Sequence, residues 1–121
     1  MNFTITKPNI SQEEFLNHLV KVFPEISDEV LDEDYADLIH LQIACLARYA
    51  NQLIQHSRFD VLRRVFSFFS VTVEKVDSDT ENALYVSFLE HVEMDGDSVK
   101  AREARALLPA KYLPVWKALR Q

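Results

Sequence analysis

Apolar positions recur along most of this chain at helical spacing. Phe15, Leu16, Leu19, Val20 and Phe23 form one stripe, preceded by Ser11 and Glu14 at the spacing of a capping box. Pro24 ends that segment, and Ser27 is placed to cap a short turn through Leu31. A long helix is expected over 34–56. Its Tyr35, Leu38, Ile39, Ile43, Leu46, Tyr49, Leu53 and Ile54 make an apolar face wide enough to touch more than one neighbour. Ser57 with Asp60 gives a second capping-box pattern, followed by Leu62, Val65, Phe66, Phe69, Val73 and Val76. The β-branched run Val71-Thr72-Val73 also fits a strand, but the helical stripe on both sides favours helix through 71–76. Ser78 with Glu81 opens a helix bearing Leu84, Tyr85, Phe88, Leu89 and Val92, stopped by a turn at 94–97. A helix over 98–108 and a last short helix starting near Pro114 complete the series.

These elements predict an all-α fold: a single-domain antiparallel array or bundle of about five to seven helices over 1–121. The stacking is HEAT-like if it is regular, although no sequence repeat is visible. Residues 1–10 read as an extended N-terminal arm, where Pro8 blocks an early helix. The chain has 121 residues and a single glycine, Gly96, which starves hairpins and phosphate-cradling loops of the residue they need.

A formal net charge of −6 argues against nucleic acid and anionic membranes as partners and favours a basic protein. No apolar run approaches the ~18 residues of a membrane span. The N-terminus lacks a secretory core, and one cysteine gives no disulfide framework, so a cytoplasmic protein is expected.

Residue chemistry supplies no catalytic site and no cofactor site. His18, His40, His56 and His91 never pair at i, i+3 or i+4, and Asp37 with His40 is a lone carboxylate–histidine pair, so no metal is expected. Asp95-Gly96-Asp97 resembles a calcium-loop fragment, but the acids required ahead of the glycine are out of register. Cys45 lies mid-helix in an apolar setting and reads as a small core residue rather than a nucleophile. An enzyme is therefore not expected.

What remains is charge. Residues 25–37, EISDEVLDEDYAD, hold seven carboxylates and no base. Acids near helix N-termini complement the macrodipole, but two or three would suffice. If the helices alternate, the 24–34 and 76–80 loops share one end, forming an acidic edge. Asp28, Glu29, Asp32, Glu33, Asp34 and Asp37 are its first candidates for binding a partner, with Asp77 and Asp79 second. Tyr35 and Tyr85 fit either of two roles, amphipathic anchors beside those acids or core residues. Residues 100–121 carry six Lys or Arg against one acid, so the charge is segregated along the chain.

Two stretches, 82–91 (NALYVSFLEH) and 106–114 (ALLPAKYLP), resemble a family of small all-helical bacterial immunity proteins of toxin–immunity systems, including contact-dependent growth inhibition. The shared motifs are structural, and no functional residue carries over. The resemblance implies a cytoplasmic protein, expected as a monomer, that binds and blocks one cognate toxin domain, often a basic nuclease. The alternative is a helical protein–protein adaptor or regulatory module with no toxin partner.

Overall fold

The computed structural model describes residues 10–121, so nearly all of the expected N-terminal arm lies outside the described residues. The all-α expectation holds. Among the described residues there are seven α-helices and no strand. They are α1 (Gln12–Val22), α2 (Ser27–Val30), α3 (Ile39–Gln55), α4 (Phe59–Thr72), α5 (Ser78–Ala83), α6 (Val99–Leu107) and α7 (Leu113–Leu119).

The core forms where the stripes converge. Phe15, Phe23, Phe66, Phe69 and Phe88 are fully buried, with Ile43, Leu46, Leu62, Leu84 and Leu89 around them. Phe69 sits at the centre, with ring centroids 6.0 Å from Tyr85, 5.4 Å from Phe88 and 5.0 Å from Tyr112. Such pairs add to area burial because ring edges and faces carry opposite partial charge. Trp116 anchors α7 by donating its indole N–H to the Val92 carbonyl at 2.9 Å.

Helix boundaries depart from the sequence reading in five places. The long helix starts at Ile39, not Asp34. Asp32 accepts from the Asp34 amide at 2.8 Å and nucleates a separate 3₁₀ turn over Glu33–Tyr35, and Asp37 at φ 63° then breaks the path. Ser27 lies inside α2 rather than capping it. Ser57 does not cap α4; at φ 56° it closes α3. The Ser57 amide bonds the Ile54 carbonyl at 3.1 Å and the Arg58 amide bonds Leu53 at 2.7 Å, the Schellman pattern, which leaves α4 without a side-chain cap. Asp77, not Ser78, caps α5 by accepting from the Thr80 amide at 2.8 Å. Helix α4 ends at Thr72, whose hydroxyl donates to the Phe68 carbonyl at 2.8 Å, and Val76 instead forms an isolated parallel bridge with Ile10. The box at Ser11 and Glu14 is formed as expected.

After α5 the path continues through a π-helical turn, Leu84–Phe88, and a 3₁₀ turn, Leu89–His91. Gly96 at φ 85° makes the turn before α6, which Ser98 caps. Helices α1 and α4 run antiparallel: Ile10 meets Val76, His18 meets Phe68, and Val22 meets Arg64. No helix of the described residues is long and apolar enough to cross a membrane.

Candidate functional site: an acidic edge with exposed leucines

The acidic segment is positioned by α2, the turn at Glu33–Tyr35 and the first turn of α3. Helix α2 packs along α3. Gln42 donates to the Val30 carbonyl at 3.4 Å, Arg48 forms an ion pair with Glu29, and the Tyr49 hydroxyl donates to Glu25. Glu25 and Glu29 are thus engaged within the molecule. Asp32 holds the turn through the Asp34 amide, and Asp77 caps α5. Asp28, Glu33, Asp34, Asp37 and Asp79 are exposed, and among the described residues no hydrogen bond or ion pair engages their side chains.

Several candidates come together. Glu13, Leu16, Asn17, Leu31, Asp32 and Asp37 line a cleft of about 330 Å³ between α1 and the segment after α2. The Ile10–Val76 bridge ties the loop carrying Asp77 to the start of α1, which lines the same cleft, so the two acidic loops approach one end of the molecule. Asp28 and Glu29 lie farther along on α2, outside that cleft lining.

The sequence reading missed the leucines. Leu31, Leu38 and Leu41 are 54%, 47% and 45% exposed, and they account for three of the five large apolar side chains left exposed among the described residues. Leu38 was expected on the buried face of a helix beginning at Asp34. With the helix starting five residues later, it stands at the N-cap and is exposed. Leu41 had a signal available, since it falls off the apolar stripe of α3. Tyr35 and Tyr85 are half-buried against the core, so they are edge-of-core residues rather than free anchors.

The basic C-terminal residues do not neutralise this edge. Lys100 donates to the Gln55 carbonyl, and Arg105 donates to the carbonyls of Met94 and Gly96. Lys111 pairs with Glu74 at 2.7 Å. Arg120 pairs with Asp95 and lies 5.6 Å from the Trp116 ring. They fasten loops and helix ends to one another.

Other chemistry is sparse. Among the described residues no group of three or more His, Cys, Asp or Glu side chains is gathered as a metal would require. Cys45 is buried. Desolvation, then the nearby Glu29 carboxylate, push its thiol up to about 11, so it stays protonated at neutral pH, where a nucleophile would need thiolate. His40 Nδ1 lies 2.6 Å from Ser87 Oγ in the π turn. A serine beside an imidazole is part of an acyl-transfer set, which also needs a group orienting the base. Among the described residues no second hydrogen bond engages His40.

Fold and edge together define a small all-α protein whose exposed surface offers carboxylates beside leucines. The chain belongs to the family described as Domain of unknown function (DUF7674), whose model matches residues 16–121. No curated protein and no solved structure matches it.

Proposed function

We propose that the protein is an immunity protein of a bacterial toxin–immunity system, acting in the cytoplasm by binding rather than by turnover. Its cognate partner is a basic toxin domain, of which nucleases are the natural class, because they gather Lys and Arg where they hold phosphates. The observation that carries this reading is the coincidence of unengaged carboxylates and exposed leucines in one segment. Exposed leucines beside acids are costly on a free protein and favourable against a surface that is apolar at its centre and cationic at its rim. Opposite charge would also speed the encounter, which matters for a protein that must intercept a toxin.

The test is co-expression with the C-terminal domain of the protein encoded directly upstream, scoring survival and co-purification. The expected result is rescue with a one-to-one complex. Reversing Asp32, Glu33 and Asp34 to Lys should abolish rescue and weaken binding by about a hundredfold or more. Rescue unaffected by the triple reversal and by Leu31→Asp would place the toxin elsewhere on the surface. Absence of both rescue and complex would remove the immunity reading.

A second reading, the helical adaptor, is favoured by one observation: a groove between α1 and α4, lined in part by Val22, Phe68 and Val71, on the flank of α1 opposite the acidic cleft.

A further inference from the structure

Helix α1 turns Phe15 and Leu19 into the core and separates two clefts of opposite character. On one flank Glu13, Leu16 and Asn17 face the acidic cleft with Leu31, Asp32 and Asp37. On the other, His18 and Val22 face α4 across a groove of about 280 Å³ lined also by Arg64, Phe68 and Val71. That lining joins apolar Val22, Phe68 and Val71 to one permanent cation, Arg64. Val71 is 52% exposed, and the His18 ring lies 5.3 Å from Phe68. The Arg64 guanidinium is held 5.5 Å from the Phe23 ring and donates to the Val22 carbonyl at 3.3 Å. Lys21 and Arg63 are exposed on the same two helices. Among the described residues no ion pair involves His18, Lys21, Arg63 or Arg64, although acids outnumber bases 19 to 13 in the chain. Arg48, Arg58 and Arg120, by contrast, each have a carboxylate.

In place of the monomer expected from the sequence, we propose that the α1–α4 groove is filled by the acidic, leucine-bearing edge of a second copy of this chain, forming a twofold dimer across α1. Charge complementarity chooses the occupant: the groove presents Arg64 beside exposed Val71, with Lys21 and Arg63 exposed on its two helices, and the edge presents Glu33, Asp34 and Asp37 beside exposed leucines, none of these charges in an ion pair among the described residues. Position closes the assembly. Two patches flanking one ridge are exchanged by a twofold axis that runs along that ridge, midway between them. Both contacts therefore form together, and the assembly stops at two rather than growing into a filament. The dimer does not depend on the toxin reading. If the same edge also takes a basic partner, the two associations exclude each other, and the dimer is the resting form.

Sedimentation equilibrium of the full chain, from about 10 µM to about 1 mM at ~0.1 M salt, tests this. The mass is expected to rise from the 14.1 kDa of one chain toward twice that value. Arg64→Glu should weaken association at least about tenfold, and so should the pair Asp32→Lys with Glu33→Lys. Because Arg64 also contacts Phe23 and Val22, Val71→Asp serves as the groove variant that leaves those contacts intact. Mixing Arg64→Glu protein with the Asp32→Lys, Glu33→Lys protein should restore a dimer, since each contact again joins opposite charges. A wild-type mass fixed at one chain to ~1 mM overturns the proposal. So does association untouched by both groove variants, or a mixture that stays dissociated while both variants are folded.

Discussion

The acidic edge at 25–37 and the basic C-terminal segment at 100–121 are equally charge-rich in sequence and opposite in use. In the C-terminal segment, Lys100, Arg105 and Arg120 reach across to Gln55, Met94, Gly96 and Glu90 and donate to their carbonyls, while Arg120 and Lys111 also take carboxylate partners. On the edge, among the described residues, only Glu25 and Glu29 have cationic or hydroxyl partners, while Glu33, Asp34 and Asp37 are exposed. Charge density along a chain therefore says little about whether the charge is available. What decides is the reach of the side chain and what lies within it. Arg and Lys have long stems that find carbonyls at helix ends, whereas Asp reaches little beyond its own turn.

The difference should show first in stability. Arg105→Ala leaves the Met94 and Gly96 carbonyls without their donor and should cost about 1–3 kcal/mol in urea unfolding. An unchanged midpoint would mean that water replaces the guanidinium and that the C-terminal charges are as idle as the acids. A smaller effect is expected from pH. Arg120 holds the Asp95 carboxyl below its ordinary value of 3.8. A carboxyl depressed in the folded state contributes stability above its unfolded pKa, and that contribution is lost as pH falls through the folded value. Melting temperature should therefore drop below about pH 4, and Asp95→Asn should flatten that drop. The solvent-facing pair gives the smallest effect: Glu33→Lys with Asp34→Lys should change stability by no more than about 0.5 kcal/mol. A gain near that limit, from relief of like-charge repulsion, would sharpen the contrast. A loss above 1 kcal/mol would show that the edge is structural after all.

Much of the fold was legible in the sequence because the apolar stripes are long and the cap at Ser11 is unambiguous. The boundaries failed where two local rules competed for one residue. Ser57 fits an N-cap, but its place just after Gln55 and His56 makes it the left-handed closure of α3. Asp77 precedes Ser78 and takes the cap first. At Val76 a residue 66 positions away, Ile10, settled what local propensity left open. The candidate site was half legible. The acids were evident and Leu41 lies off the apolar stripe of α3, but Leu38 became visible only once the start of α3 moved from Asp34 to Ile39. The basic groove had no linear signature, since His18 and Arg64 come from helices separated by most of α2 and α3.

The π turn at Leu84–Phe88 fixes something that neither charge nor burial does, the count of residues between α5 and the Trp116 anchor. The Leu89 amide reaches back to the Leu84 carbonyl, one residue farther than an α-helix allows, so the backbone here carries one residue more than a straight helix would. A deletion inside the turn would let an ordinary helical turn cover the same path, whereas the same deletion in α5 would rotate everything downstream by roughly 100°. Leu89 would swing from the core, and the Val92 carbonyl would leave the indole of Trp116. The π turn is thus a place between α5 and Trp116 where a residue can be lost with the phase of the remaining chain kept.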